Sequence, residues 1–244
     1  MSRTLPDTRE RRRETAVKNE HAVLVTYGSC AEAIALAPVV LELRRCHWIR
    51  PVVGAPLTGG DVFDEVQRLF HIAPDLDLDA AGFGTSLSDM VIRTHAGHTA
   101  SLERSAAYLV ARGIDAVLVV GDSALAFAVA LAGFHGGLPV IHVDAGVRGS
   151  RPEERSTSGS TGRLISQIAS LHLAPTEAER RTLLDDGAHP ADVVVTGRLT
   201  VDTRMASAGN PFGDGRAAAR VRAAAEELLG VGSRLPDFGR PHLV

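Results

Sequence analysis

Residues 115–149, DAVLVVGDSALAFAVALAGFHGGLPVIHVDAGVRG, admit few folds. Two apolar runs, Ala116–Val120 and Val140–Val143, are too short for stable helices, and each stops at a polar, glycine-punctuated turn. Between them a helix-length segment opens near Ser123. Two buried runs separated by a helix read as parallel strands joined by a crossover. In an open parallel sheet, ligands bind outside the carboxyl ends of the strands. Gly121-Asp122-Ser123 and Asp144-Ala145-Gly146, with Arg148 just beyond, stand at those ends. Asp122 has two readings that do not exclude each other: a site carboxylate, or the N-cap of the following helix.

The same grammar runs along the chain. Ala22–Thr26 is a strand ending at Tyr27-Gly28-Ser29, followed by a helix over Ala31–Arg45. Ile49–Val53 is a second strand, Gly54–Gly60 a loop, and Val62–Phe70 a helix. Residues 71–84 are irregular, and Ser86–Arg112 has the periodicity of one long helix. Arg155–Gly162, rich in glycine and serine, reads as a mobile loop or lid. Leu171–Ala174 is a strand, Thr176 with Glu179 opens a helix in a capping-box pattern, and Val193–Thr196 is a last strand closed by Gly197. Strands alternating with helices demand a parallel sheet covered on both faces. The expectation is an α/β fold, a doubly wound, Rossmann-like sheet, over residues 21–205. Residues 1–20, with Arg9, Arg11, Arg12 and Arg13, are expected to form a disordered basic arm. Residues 206–244 hold an alanine-rich helix at Arg216–Leu229 and a proline-punctuated linker. They read as a helical segment that ends where a second domain should begin.

Bulk properties exclude several classes. A chain of 244 residues can bury a proper core, and a net charge of −3 gives no field for nucleic acid. Two cysteines, Cys30 and Cys46, make neither a disulfide framework nor a four-ligand zinc site. No apolar run nears the roughly 20 residues that span a bilayer, and residues 1–20 lack the apolar core of a secretory leader. No membrane partner and a cytoplasmic location are the expectation.

Polar groups gather at three strand ends. Gly28 permits a tight turn, and Ser29, with Glu32 beyond it, opens a helix whose N-terminus is an anion site. Neither the dinucleotide fingerprint nor the phosphate-binding loop with its Gly-Lys-Ser/Thr is present. At the other two ends stand Asp122 and Ser123, then His142, Asp144 and Arg148. A histidine, two carboxylates and an arginine at neighbouring ends suit general acid/base chemistry beside an anionic leaving group. Taken singly, His142 also fits a buried histidine bonded within the sheet, and Arg148 a partner of a surface carboxylate. His95 and His98, three apart on a helix, lack a third metal ligand in view.

These residues resemble a known family. Tyr27-Gly28-Ser29-Cys30-Ala31-Glu32-Ala33-Ile34 followed by Ala37-Pro38-Val39-Val40, then Leu69-Phe70-His71-Ile72-Ala73-Pro74-Asp75, Val120-Gly121-Asp122-Ser123, His142-Val143-Asp144-Ala145-Gly146-Val147-Arg148, Ala174-Pro175-Thr176-Glu177 and Val195-Thr196-Gly197 are similar to the amino-terminal half of the non-hydrolysing UDP-N-acetylglucosamine 2-epimerases. The likeness runs from about Ala22 to Asp202. It implies one half of a glycosyltransferase-B-type fold, in which two Rossmann-like domains face across a cleft. It also implies a UDP-sugar substrate, no metal and no cofactor. The implied reaction inverts C2 of a UDP-N-acetylhexosamine by eliminating UDP and adding it back. Asp122 corresponds to the first acid/base carboxylate, Asp144 stands where the family has Glu, and Pro152-Glu153-Glu154 offers Glu153 as the third. Gly28, Ser29, Glu32, Ser123, His142 and Arg148 are then the substrate-binding candidates.

Departures from the family pattern are concentrated in its cations. Its first-turn Arg is Cys30, the following Pro is Ala31, and its Lys one helical turn on is Ala35. Its Gln-His-Arg falls on Thr58-Gly59-Gly60, and its Asn-Arg on Thr161-Gly162. Gapless alignment puts Pro152-Glu153-Glu154 five residues early, so that the third carboxylate falls on Ser158. Three functions follow as alternatives: the epimerase; a hydrolytic epimerase or glycosyltransferase-like enzyme on the same fold; or a catalytically degenerate half-domain that binds a partner. The expected partner is a chain carrying the second domain, or a second copy of this one.

Overall fold

β1 (His21–Thr26) is buried along its entire length, as a strand covered on both faces must be. A computed structural model of the chain describes residues 20–57, 60–79, 99–148, 157–202 and 212–239. The elements follow in alternation: α1 (Cys30–Arg44), β2 (Ile49–Ala55), α2 (Asp61–Leu69), β3 (Leu76–Asp77), α3 (Thr99–Ala111), β4 (Ile114–Val120), α4 (Ala124–His135), β5 (Val140–Val143), α5 (Thr157–Ile168), β6 (Leu171–Ala174), α6 (Glu177–Asp185), β7 (Val193–Val195), α7 (Leu199–Asp202) and α8 (Ala217–Leu228). Among the described residues the strands form one parallel sheet in the order β3-β2-β1-β4-β5-β6-β7.

Strand residues divide between two layers with the period of two that the pleat imposes. Val23, Val25, Leu118, Val120, Ile141 and Val143 pack against α1, α2 and α8. Ala22, Leu24, Val117, Val119 and Val140 face α4, with Leu109 of α3 and Ile165 of α5. α4 is apolar nearly all round and buries Leu125, Ala126, Ala128, Val129, Ala130 and Ala132, the pattern of a helix inside a core. It lies so close to the sheet that a Cβ on Gly133 would come within 2.6 Å of Val117 Cγ2.

The alanine-rich α8 packs on α1 and places Val221, Ala224 and Ala225 in the main core. Arg220, buried on the same helix, pairs bidentately with Asp214 and donates to the carbonyls of Thr196 and Pro236. The Phe238 amide donates to the Val195 carbonyl at 2.7 Å, so the segment after α8 lies along β7.

Several expectations change. The irregular stretch 71–84 contains β3, a two-residue edge strand paired only through Gly54 and Ala55. Those two residues extend β2 into the expected loop. The glycine- and serine-rich loop is wrong over 157–162, which form the first half of α5. Fully buried Ile165 and buried Thr161 seat that helix on the sheet, and such packing outweighs the poor helix propensity of glycine and serine. The long helix is seen over Thr99–Ala111; its start, with His95 and His98, and the basic arm at residues 1–19 lie outside the described residues.

Candidate active site at the carboxyl edge of the sheet

The strand order reverses direction between β1 and β4, and at that switch an open sheet leaves a crevice past its carboxyl ends. The two turns flanking the crevice touch. A Cβ on Gly28, after β1, would lie 2.9 Å from Leu125 Cδ2 in the first turn of α4. Ser29 N-caps α1, its Oγ accepting from the Glu32 amide at 3.2 Å, while Glu32 Oε2 accepts from the Gly28 amide at 2.7 Å. This is a capping box shifted by one residue. Its first job is to hold the turn.

Ser123, not Asp122, caps α4: its Oγ accepts from the Ala126 amide at 3.2 Å. The capping reading of Asp122 therefore gives way. Asp122 is partly exposed, and no hydrogen bond or ion pair among the described residues engages its carboxylate. The α5 backbone passes over it at Gly162, where an added Cβ would stand 3.2 Å from Asp122 Cβ.

Asp122 is held from behind. His142 is 1% exposed, and its Nε2–H donates to the Gly121 carbonyl at 2.7 Å. Its Nδ1 lies 3.4 Å from Ser166 Oγ, whose proton goes to the Gly162 carbonyl at 3.0 Å. Burial pushes the imidazole down to about 4, against the raising effect of the Gly121 bond, with His172 and Arg148 adding to the depression. A neutral His142 thus bridges β5, the β4 turn and α5 from inside the protein, where no ligand reaches it.

Val120 pairs with Val143, so Asp144 follows its strand end directly, beside the turn that carries Asp122. Its φ of 55° is left-handed, a conformation that costs a non-glycine residue energy and that Asp tolerates better than most. The residue keeps partial exposure, yet burial of its carboxyl raises its proton affinity; Arg198 works against that rise and Glu179 adds to it. Gly146 (φ 82°) lets α6 close in: a Cβ there would meet the Glu179 carbonyl at 2.5 Å.

Arg148 is engaged by Asp186 at 2.5 Å, and Arg163 pairs with the same carboxylate at 2.8 Å. Burial opposes the charge of Asp186, but the two guanidiniums outweigh it and hold the carboxyl below its ordinary range. Glu153 and residues 58–59 lie outside the described residues, and Ser158 falls within the first turn of α5. No group of three His, Cys, Asp or Glu side chains among the described residues is placed to hold a metal. No helix among them is long and apolar enough to cross a membrane. Missing from the sequence reading were Glu179 and Arg198. Arg198 directly follows Gly197 at a strand end, the same signal that singled out Asp122 and Asp144.

A doubly wound parallel sheet with Asp122 and Asp144 past the carboxyl ends of neighbouring strands places the chain among the Rossmann-like α/β domains. Comparison with known proteins narrows it. Residues 58–207 match the model of the family described as UDP-N-acetylglucosamine 2-epimerase. The UDP-N-acetylglucosamine 2-epimerase of Neisseria meningitidis serogroup A is 33% identical over 185 residues, covering 76% of this chain and 48% of the relative. That of Escherichia coli K12 is 31% identical over 188 residues, covering 75% and 47%. The crystal structure of the N. meningitidis enzyme bound to UDP-GlcNAc superposes with a TM-score of 0.64 at 32% identity, over 75% of this chain and 48% of that one. The chain belongs to the UDP-N-acetylglucosamine 2-epimerase family, and its Rossmann-like sheet is that of the family's structures. It spans about half the length of the relatives it matches.

Proposed function

We propose that this chain is one half of an epimerase that inverts C2 of a UDP-N-acetylhexosamine. The observation that carries the reading is the pair Asp122 and Asp144, set past the ends of adjacent strands beside the switch crevice in a chain of this family. In the proposed reaction, one carboxylate takes the C2 proton as the bond from C1 to the diphosphate oxygen breaks. A C1=C2 double bond forms and UDP is released. Protonation of C2 from the opposite face and return of UDP to C1 complete the inversion. No net oxidation occurs, so the chemistry asks for no redox cofactor. Asp144, whose buried carboxyl gains proton affinity, suits the donor, and the partly exposed Asp122 the acceptor.

The N-termini of α1 and α4, capped by Ser29 and Ser123, bracket the crevice and offer amides to the diphosphate. Gly28 lets the two turns meet at Leu125, and Glu32 fixes its turn. His142 and Arg148 act indirectly, through the Gly121 carbonyl and through Asp186. Glu153 is assigned the third carboxylate. The opposite wall of the cleft comes from a second Rossmann-like domain, carried in the same polypeptide or by a partner chain. A cytoplasmic location accompanies a nucleotide-sugar substrate.

The test is incubation with UDP-N-acetylglucosamine in D₂O, with the chain alone and mixed with the carboxyl-terminal half of a related epimerase. Deuterium at C2 and UDP-N-acetylmannosamine are expected in the mixture, and Asp122→Asn should remove both. No deuterium at C2 in either incubation overturns the reading.

A further inference from the structure

A second polar recess lies where the chain enters β6 and β7, at the amino edge of the sheet. Those entering turns and the ends of α5 and α6 enclose a cavity of about 190 Å³. Its walls include Ser166 and Gln167 of α5, His172 of β6, and Asp186, His189 and Asp192 beyond α6; no lysine or arginine lines it. His172 is 3% exposed, and its Nδ1 is buried without a hydrogen-bond partner. A stranded N–H is the rarer defect in folded proteins, so the single proton of the ring belongs on Nε2. With Nδ1 shut away, Nε2 is the only polar atom this side chain can present to the cavity. His189 reaches the same state by another route. Its Nδ1 accepts from the Ala191 amide at 3.2 Å, which leaves the proton on Nε2. His172 stands opposite Val193 in the β6–β7 ladder, so Asp192, one residue earlier, flanks it. No hydrogen bond or ion pair among the described residues engages the half-buried Asp192 carboxylate. Asp186 differs, since Arg148 and Arg163 neutralise it.

The recess therefore sets two imidazole N–H donors beside one unengaged carboxylate. That combination is wrong for simple ions. An anion would meet two carboxylates and no cation, and an ammonium would point its N–H groups at two others. A metal ion would need a third side-chain ligand, and no such group of three is placed among the described residues. A hydroxyl meets both demands at once, because its oxygen accepts while its proton is donated. We propose that this recess binds a small neutral polyhydroxy molecule, with hydroxyls that accept from His172 and His189 and donate to Asp192. The volume limits its size. A cavity of about 190 Å³ is smaller than the roughly 300–1,000 Å³ that holds a drug-sized ligand, which points to a single sugar ring or a shorter polyol. The site is separate from the crevice that holds Asp122 and Asp144, and it does not depend on the epimerase reading.

The test is a titration of the chain with D-glucose, followed in long-range ¹H–¹⁵N spectra of the histidine rings. His172 and His189 are identified by the loss of their signals in His172→Gln and His189→Gln. Saturable shifts of both Nε2 resonances are expected, with His71, at the β3 end of the sheet, unmoved. Asp192→Asn keeps the shape of the side chain and removes the charged acceptor, and should weaken binding about tenfold. Its fold is checked by near-ultraviolet circular dichroism. Should that variant fail to fold, the wild-type titration still decides, and His189→Gln, at an exposed side chain, should weaken binding to a similar degree. Ethylammonium chloride and sodium acetate at the same concentrations are the ionic arms, and neither should saturate. The proposal is overturned by the absence of a saturable shift with glucose, by saturation with either ion instead, or by glucose binding unchanged in the folded Asp192→Asn protein.

Discussion

Acid should loosen this fold through His142 before it reaches the carboxylates. The imidazole is depressed from 6.5 to about 4 by burial, so between those values the unfolded chain binds a proton that the folded chain refuses. Stability is then complete above about pH 6.5 and falls as pH drops towards 4. With those two values, the loss between pH 8 and pH 5 from this residue alone is about 2 kcal/mol. That is a large part of a domain's usual total of about 5–15 kcal/mol. His172 is also held down by burial, with Asp192 opposing, and adds a loss of the same sign. Urea unfolding at pH 8, 6.5 and 5 of the wild type and of His142→Gln isolates the His142 share, because His172 is common to both. The variant should be weaker at pH 8 by about 1–2 kcal/mol, from the disturbed bond to Gly121. Its further loss on going to pH 5 should be smaller than that of the wild type by about 2 kcal/mol. Equal losses in both proteins would refute the assignment of a buried, neutral His142.

Two more substitutions probe the turns around the crevice. Gly146→Ala forces a Cβ to 2.5 Å from the Glu179 carbonyl at a φ of 82°; it should cost about 2 kcal/mol or more by urea unfolding. Ser29→Ala removes the α1 cap and should cost about 1 kcal/mol, with faster amide hydrogen exchange at Glu32 and unchanged exchange in α4.

What the sequence made legible was what two-sided burial writes into it. β4 and β5 stand within two residues of their expected bounds, and α4 opens directly after Ser123 as expected, because strands covered on both faces show as continuous apolar runs bounded by turn residues. β3 left no such trace: two residues at an edge, paired only to Gly54 and Ala55, carry no periodicity. α5 was hidden by its composition of glycine and serine; of these, Gly162 is explained by the close approach to Asp122. The candidate site was legible at β4 and β5 for the same reason as the strands, each carboxylate falling on the first polar residues past an apolar run. Arg198 was not, although it follows Gly197 in the same way. Linear sequence gives no strand order, and only that order puts the end of β7 within electrostatic reach of the end of β5.

The two central acids are also held in different ways, and the difference bears on what can vary around them. Asp122 is placed by its backbone: a buried histidine bonded to the carbonyl before it, a cap on the residue after it, and a helix glycine against its Cβ. None of these grips the carboxylate itself. Asp144 is placed by a strained backbone and tuned through side chains from two distant elements. It follows that substitutions near Asp122 should act mainly through stability, because they strike buried bonds. Where the resemblance implies cations, this chain has Cys30, Ala35 and Gly162. At Gly162 the replacement has a visible structural consequence: a Cβ there would stand 3.2 Å from Asp122 Cβ, so one of the two must give by a few tenths of an ångström. Gly162→Arg alone should therefore shift Asp122 by a few tenths of an ångström, read as changed chemical shifts of the Asp122 backbone.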